Sequence, residues 1–317
     1  MNNNDKIKKS IIESIVVVSI MALYIVYGIH FLPLLMLFIP LPFIVLGVRN
    51  NIYNNIISII TASLIVGIIL GTLSGASIIL IFAPLSVAIN YCIKSRKKST
   101  EILLISSIVF FISFVFLIAL GGKVSDLDLA KQAEQGITQI LTMQIEILKE
   151  MGMTNYEILQ TTDWLETAYK TFIVLIPSLL GVFSFVVSYL NILFSSIILR
   201  RMGYGFNFER FSRFKLPNNI ITGTGIMFLT AFIIKFLEIG YHEALLFNLT
   251  FLVSIMFFIQ GLAVLDFLFI KIKMRLFSRV IVLIISVIFI PMTSILFFIG
   301  ILDTIFDMRK IRRQKSL

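Results

Sequence analysis

Apolar residues fill most of the chain in long runs, and short polar stretches separate them. A helix needs about 18 or more mostly apolar residues to cross the hydrocarbon core of a bilayer, and most of the runs reach that length. The pattern therefore predicts an all-α, polytopic helical membrane protein with about eight to nine hydrophobic segments. The run at 31–48 contains three prolines, so we expect it to be broken or steeply tilted. The runs are residues 11–28, 31–48, 54–71, 73–92, 101–120, 171–199, 220–238, 243–270 and 280–302.

Composition supports a membrane protein and excludes an ordinary soluble domain. Hydrophobic residues make up 58% of the 317 residues, charged residues make up 14%, and the mean hydropathy is +1.01. Soluble domains contain about 25% charged residues. Cys92 is the sole cysteine, which excludes an intrachain disulfide and a metal site built from several cysteines.

Lysine and arginine residues gather in alternate links between the runs. If every run crosses the membrane, 17 of the 27 basic residues lie on the side of the N-terminus. Residues 122–169, with eight of the 17 acidic residues and three lysines, lie on the other side. Because cytoplasmic loops are enriched in basic residues, this predicts a multi-pass protein of the cell membrane with a cytoplasmic N-terminus. Two arrangements stay open at the other end. A ninth crossing would leave a basic tail outside, whereas a break at Pro291 would return the tail to the cytoplasm, which its charge favours.

The runs and links predict four regions along the chain. Within the second region, residues 126–151 predict a helix that ends at Gly152, because apolar residues recur there at spacings of three and four. This helix is interpreted as a connector on the outer leaflet or, alternatively, as a ligand gate. Its apolar stripe is Leu129, Ala133, Ile137, Ile140, Leu141, Ile145 and Leu148. The four regions are a five-segment membrane bundle (1–120), an external amphipathic segment (121–170), a C-terminal membrane bundle (171–308) and a basic tail (309–317).

The stretch RMGYGFNF at 201–208 resembles an RNA-binding strand, in which glycines, a basic residue and aromatic rings form a platform for bases. It lies in a link of about 20 residues between two predicted spans, which is too short for a four-stranded RNA-binding sheet. Nucleic acid is therefore excluded as a partner. Rings interleaved with cations are typical of a strip in the headgroup layer, in contact with anionic lipid. The predicted interfacial lipid strip is Phe208, Arg210, Phe211, Arg213 and Lys215.

The chain carries no recognisable catalytic or metal-binding motif. His30 and His242 are the only histidines, and neither belongs to an HExxH pattern. A phosphate-binding GxxxxGK[ST] loop and a nucleophile elbow are also missing from the sequence. We therefore expect no enzymatic activity, no cofactor and no metal site.

Polar residues inside the apolar runs are candidates for function, because polar groups are costly in lipid unless they face protein or water. Two explanations stay open for them, namely hydrogen bonds between helices or an intramembrane ligand site. Glu13 lies near the start of the first run, where its carboxylate can reach the headgroup layer. The candidate intramembrane polar site is Asn191, Asn248, Gln260 and Asp266.

Small residues recur every four positions along the third run, as two overlapping GxxxG patterns. Such residues let another backbone approach closely in a membrane. We expect this face to be a helix-packing ridge whose partner is a neighbouring helix of the chain or another subunit. The ridge is Ser63, Gly67, Gly71 and Gly75.

Several short pieces are distributed along nearly the whole chain: PLP at 40–42, VLGVR at 45–49, FSRFKLP at 211–217, QGLAV at 260–264, and GILD at 300–303 with DMRK at 307–310. Together they resemble the YybS-like family of uncharacterised bacterial membrane proteins. The family is distantly similar to the substrate-capturing S components of energy-coupling-factor transporters. The resemblance therefore implies a membrane-embedded binder without enzymatic activity, and within this chain that comparison is limited to the first 120 residues.

Two functions are consistent with these features. The leading hypothesis is a non-enzymatic integral membrane protein that acts as a transporter component or small-solute binder. The alternative is a membrane scaffold or regulator that docks a cytoplasmic partner or anionic lipid. In both cases the lipid bilayer is a partner, and a membrane protein partner or a small solute is the further expectation.

Overall fold

The computed structural model describes residues 3–124, 129–206, 208–217, 219–237 and 240–310, and within them it contains helices and no strand. The predicted all-α class is therefore confirmed. Three short helical turns, Tyr24–Gly28, Ile29–Phe31 and Pro33–Phe38, lie between the first two long helices. The helices are α1 (Asn3–Leu23), α2 (Pro40–Arg49), α3 (Ile52–Leu70), α4 (Thr72–Lys94), α5 (Ser99–Val124), α6 (Leu129–Glu150), α7 (Asn155–Arg201), α8 (Ile220–Phe236), α9 (His242–Lys271), α10 (Leu276–Ile288) and α11 (Ile290–Phe306).

Among the described residues, six helical stretches are long and apolar enough to cross a membrane. The predicted polytopic architecture is confirmed, with fewer full-length helices than the eight to nine hydrophobic runs. The run at 31–48 is interrupted, as its prolines predict, and leaves the ten-residue helix α2. The six stretches are Ile7–Phe31, Ile52–Leu70, Thr72–Lys94, Ser99–Gly122, Asn155–Arg201 and His242–Lys271.

The last apolar run forms two helices rather than one. Helices α10 and α11 meet at an angle of 104° around Phe289. Pro291 lies in the first turn of α11, where its missing N–H and fixed φ are tolerated. The break that Pro291 predicts is therefore present.

The amphipathic segment forms α6, which ends close to the predicted position. Gly152 follows it with φ of 77°, a conformation that favours glycine. Thr154 and Glu157 then form a capping box that starts α7. Because of this cap, α7 begins well before the apolar run at 171–199 and extends over 47 residues. In the apolar stripe, the side chains of Leu129 and Ala133 lie outside the described residues.

Contacts divide the chain into two compact units. Unit 1 contains Met1–Glu166 and Phe183–Phe208, and unit 2 contains Thr167–Val182 and Glu209–Leu317. Helices α1 to α6 belong to unit 1, α8 to α11 belong to unit 2, and α7 contributes residues to both. The four predicted regions stay a prediction.

The small-residue ridge in unit 1 differs from the single helix face expected from its spacing. Gly71 has φ of 100° and ends α3, so Gly75 lies on the next helix, α4. A Cβ atom at Gly75 would lie 2.6 Å from the carbonyl oxygen of Ser63 and 2.8 Å from Cα of Gly67. A Cβ atom at Gly71 would meet nothing within 4 Å. The close contact therefore joins α3 and α4 of the same chain, with Gly71 as the turn and not as part of the packed face.

Unit 2 contains an equally close helix pair, α9 against α11. A Cβ atom at Gly261 would lie 2.7 Å from the carbonyl carbon of Leu296, and one at Gly300 would lie 2.8 Å from that of Phe257. The two backbones therefore touch where each helix has a glycine, as small residues allow in membrane helices.

Candidate functional site

A groove of about 1120 Å³ lies in unit 1 between α1 and α3, with Arg49 and Tyr204 contributing from the segments beside it. We call it the α1/α3 groove. It lies along two of the six membrane-spanning stretches, yet many of its lining side chains are polar. The polar side chains on the two helices are Lys9, Ser10, Glu13, Ser14, Ser19, Asn54, Ser58 and Thr61.

One end of the groove is charged. Arg49 is the last residue of α2, and its Nη2 lies 2.6 Å from Oε1 of Glu13 on α1. Asn50 Nδ2 donates to the other carboxylate oxygen at 3.2 Å, and the hydroxyl of Tyr204 donates to the carbonyl of Arg49 at 3.2 Å. Glu13 is therefore bound by protein partners. Its place in the run predicted only that its carboxylate lies near the headgroup layer.

A polar band continues from the charged end along α3. Asn54, Ser58 and Thr61 are spaced by four and three residues, which puts them on one face of the helix. Asn54 Nδ2 donates to Ser10 Oγ of α1 at 2.7 Å, and the hydroxyl of Thr61 donates to the carbonyl of Ile57 at 2.8 Å. Ser58 is only 2% exposed, and its hydroxyl has no hydrogen-bond partner within the described residues.

Asn191, one of the predicted polar candidates, is fully buried in unit 1. Its Nδ2 donates to the carbonyls of Leu37 at 2.8 Å and of Val187 at 2.9 Å, whereas its Oδ1 has no partner in the described part of the chain. Ser188 and Ser195, on the same helix, also carry buried hydroxyl oxygens without a partner there.

Asn248 binds the part of α7 that belongs to unit 2. The hydroxyl of Ser178 donates to Asn248 Oδ1 at 2.6 Å, and Asn248 Nδ2 donates to the carbonyl of Val174 at 2.7 Å. These bonds join two helices, as expected for an intramembrane asparagine with a structural role.

Gln260 lies in a buried cluster that fixes the link before α8 onto α9 and α11. Gln260 Nε2 donates to Asp303 at 2.6 Å, and Gln260 Oε1 accepts from the backbone N–H of Leu216 at 3.1 Å. Asp303 forms a buried ion pair with Arg309 at 2.8 Å. Arg309 also donates to the carbonyls of Ser212 at 2.7 Å and Phe214 at 2.8 Å. We call Gln260, Asp303 and Arg309 the Arg309 cluster.

Asp266 pairs with a different cation of unit 2. Its Oδ1 lies 2.8 Å from Nε of Arg279 at the start of α10. The four predicted candidates thus have separate partners: Asn191 in unit 1, and Asn248, Gln260 and Asp266 in three distinct contacts of unit 2.

The predicted lipid strip is divided between buried and exposed residues. Phe208 is 8% exposed, its N–H binds Ser196 Oγ at 3.0 Å, and its ring packs against Tyr189, so the ring faces protein rather than lipid. Lys215 pairs with Asp307. Arg210 and Arg213 are exposed, and the rings of Phe211 and Phe214 are stacked with centroids 6.3 Å apart.

Sequence comparison gives the family. The profile of the family described as "Predicted membrane protein (DUF2232)" matches residues 15–304. The chain belongs to this family. It is an integral, multi-pass membrane protein in contact with the lipid bilayer. Searches of curated proteins and of solved structures found no match.

Several residues of these sites were missed from the sequence. Ser58 and Asn54 lie in a run interpreted only for its small residues. Asp303 appeared only in a piece that carries the family resemblance, and Arg309 appeared there and as the first residue of the predicted basic tail. The available signal for a polar helix face was the spacing of Asn51, Asn54, Ser58 and Thr61. No group of three or more His, Cys, Asp or Glu residues suited to a metal ion occurs in the described residues.

Proposed function

We propose that this protein is a non-enzymatic transporter component or small-solute binder and that the α1/α3 groove is its binding site. The observation that carries the proposal is a large groove with polar residues along two membrane-spanning helices. An ion pair lies at one end, and the lining includes the buried Ser58, whose hydroxyl has no partner within the described residues. Ligand pockets have volumes of about 300–1,000 Å³ and contain a few placed polar groups among apolar walls. The groove has this composition, and its volume of about 1120 Å³ is slightly above that range.

The cost of polar groups in a membrane supports a binding role. Intramembrane charges and hydrogen-bonding groups are expensive unless they pair or face a ligand or water. Most polar groups here are paired, but Ser58 is not, and a bound molecule would supply its missing partner. The groove also fits the proposed distant similarity to S components, because nearly all its residues lie within the first 120.

The orientation of the protein is also a proposal. We expect a cytoplasmic N-terminus in the cell membrane, with 122–169 outside, from the distribution of basic residues. In a Cys92→Ala background, Gln160→Cys should react with an impermeant thiol reagent in intact cells. Lys97→Cys, also at an exposed residue, should react only after the cells are opened. The opposite pattern would contradict this orientation.

Native mass spectrometry after incubation with a small-molecule extract of the host cells tests the binding function. Ser14→Leu places a larger side chain in the groove. Ser107→Leu is the matched control, because both serines are part-buried and donate to the carbonyl four residues earlier. We expect the wild type and Ser107→Leu to retain the same additional mass and Ser14→Leu to lose it. Equal retention by all three proteins, or no retained molecule, would contradict the proposal.

A scaffold or regulatory role is the second candidate, and the exposed Arg210 and Arg213 beside stacked rings favour it. Each cation near an anionic surface contributes about 1 kcal/mol of attraction. In nanodiscs, the rate of trypsin cleavage after Arg210 and Arg213 should be lower with phosphatidylglycerol than with phosphatidylcholine. The rate of cleavage after the exposed Lys97 serves as the reference in each lipid. Equal relative rates in the two lipids would contradict this role for the strip.

A further inference from the structure

We propose that the molecule bound in the α1/α3 groove is an acidic amphiphile of the membrane, with a phosphate or carboxylate head and an acyl chain. This inference rests on the proposed function of the groove. It goes further by naming the chemical class of the ligand from the charge, the length and the unpartnered group of the site.

The charged end of the groove favours an anionic head. Lys9, Arg49 and Glu13 line this end, so the two cations exceed the single carboxylate by one charge. Glu13 is already bound by Arg49 and Asn50, whereas Lys9 is exposed. Arg49 binds Glu13 through Nη2, which is one of its three guanidinium nitrogens. Because a guanidinium has several donors, Arg49 can also donate to a second oxyanion.

The length of the groove matches one leaflet of a bilayer. Asn51 is the N-cap of α3, and Ile65 lines the far end. The helix rises about 21 Å between these residues. One leaflet with its headgroups is about 20–22 Å thick, half of the whole bilayer. A ligand that fills the groove therefore has its charge at the headgroup level and its other end near the bilayer centre.

The groups along the groove fit the middle and the tail of such a molecule. Ser58 lies about 10 Å along α3 from Asn51, farther along the groove than the charged end. There its hydroxyl would donate to an ester or hydroxyl oxygen that links a head to a chain. Ile15, Ile57 and Ile65 offer apolar contacts to the chain. A small soluble anion would bind the charged end and leave these residues and Ser58 without contacts.

Native mass spectrometry of the delipidated full-length protein in detergent tests the inference. The added probes are phosphatidylglycerol, phosphatidylcholine and glycerol 3-phosphate. We expect phosphatidylglycerol to bind most tightly, and Lys9→Gln to weaken it by about five-fold, the equivalent of one cation near an anionic group. Lys8→Gln is the matched control, because Lys8 is an exposed neighbour that does not line the groove.

The Ser58 hydroxyl provides an independent readout. Ser58→Ala should weaken phosphatidylglycerol binding without lowering the melting temperature of the lipid-free protein, because the hydroxyl has no protein partner. Ser77→Ala, at a half-buried serine outside the groove that donates to the carbonyl of Leu73, should leave phosphatidylglycerol binding unchanged. Loss of binding in the Arg210→Gln/Arg213→Gln variant, with no loss in Lys9→Gln, would locate the lipid elsewhere and overturn the inference.

The remaining outcomes separate this inference from the proposed function. Equal binding of phosphatidylglycerol and phosphatidylcholine, or tighter binding of glycerol 3-phosphate, would overturn the acidic amphiphile. If a different retained molecule were still lost in Ser14→Leu, the groove would remain a small-solute site. If none of the three probes bound, and if Ser14→Leu retained the additional mass as well as the wild type does, both the inference and the proposed function would be overturned.

Discussion

The two units satisfy their buried polar groups in different ways. In the Arg309 cluster of unit 2, both ends of the Gln260 amide are bonded, and Asp303 and Arg309 bind each other and the backbone. Unit 1 instead holds several buried oxygens without a partner in the described residues, on Ser58, Asn90, Ser188, Asn191 and Ser195. A satisfied polar network rigidifies a fold, whereas an unsatisfied group is costly unless a ligand or water completes it. The comparison therefore favours a structural role for the Arg309 cluster. Of these five residues of unit 1, Ser58 lines the α1/α3 groove, the binding site that we propose.

The largest effect should follow from breaking the buried pair of unit 2. Arg309→Gln leaves the Asp303 carboxylate without its cation and removes the Arg309 hydrogen bonds to the Ser212 and Phe214 carbonyls. Removing one partner of a buried pair costs about 3–5 kcal/mol. Thermal unfolding in detergent should show a marked decrease for Arg309→Gln and little change for Lys310→Gln, at an exposed neighbour. Comparable stability of the two variants would contradict a structural role for the cluster.

The glycine contacts should give effects of intermediate size in both units. Gly75→Ala and Gly261→Ala each place a methyl group against backbone atoms, so we expect a cost of about 1–3 kcal/mol. Gly67→Ala is the control, because its Cβ would lie 3.5 Å from Cα of Gly75, an ordinary contact. If Gly67→Ala were as harmful as Gly75→Ala in the same unfolding assay, the geometry of the α3–α4 contact would be wrong.

The smallest effect is the one that separates binding from structure within unit 1. Ser86 donates to Asn55 Oδ1 at 2.9 Å in the interior, so Ser86→Ala should cost about 1–3 kcal/mol by leaving that oxygen unpaired. Ser58→Ala removes no protein hydrogen bond and should change the stability of the ligand-free protein by about zero. A similar loss for both variants would mean that Ser58 has a structural partner.

The helices themselves were largely predictable, because apolar runs and prolines report directly on membrane spans. The run at 31–48 is interrupted and the last run breaks beside Pro291, as their prolines require. Spacing alone misled at Gly71, since four-residue repeats look continuous on one helix even where a positive φ ends that helix.

The sites were much harder to predict, since they depend on residues that are distant in the sequence. Glu13 and Arg49 meet only because α1 packs beside α2 and α3, and Gln260 meets Asp303 only through the close contact of α9 and α11. Arg309 looked like the first residue of a basic tail, yet its side chain is buried in an ion pair. Sequence patterns identify polar residues in a run but do not show which of them remain unpaired after folding.

The most direct test of the central claim is to map where an acidic lipid contacts the full-length protein. The purified protein is irradiated with a phosphatidylglycerol that carries a photoreactive acyl chain, and the labelled peptides are identified by mass spectrometry. We predict that labelling concentrates in residues 7–19 and 50–65 and that excess unlabelled phosphatidylglycerol, but not phosphatidylcholine, reduces it. Labelling centred on residues 209–217, or spread evenly over the spans without competition, would contradict the claim that the α1/α3 groove is the binding site.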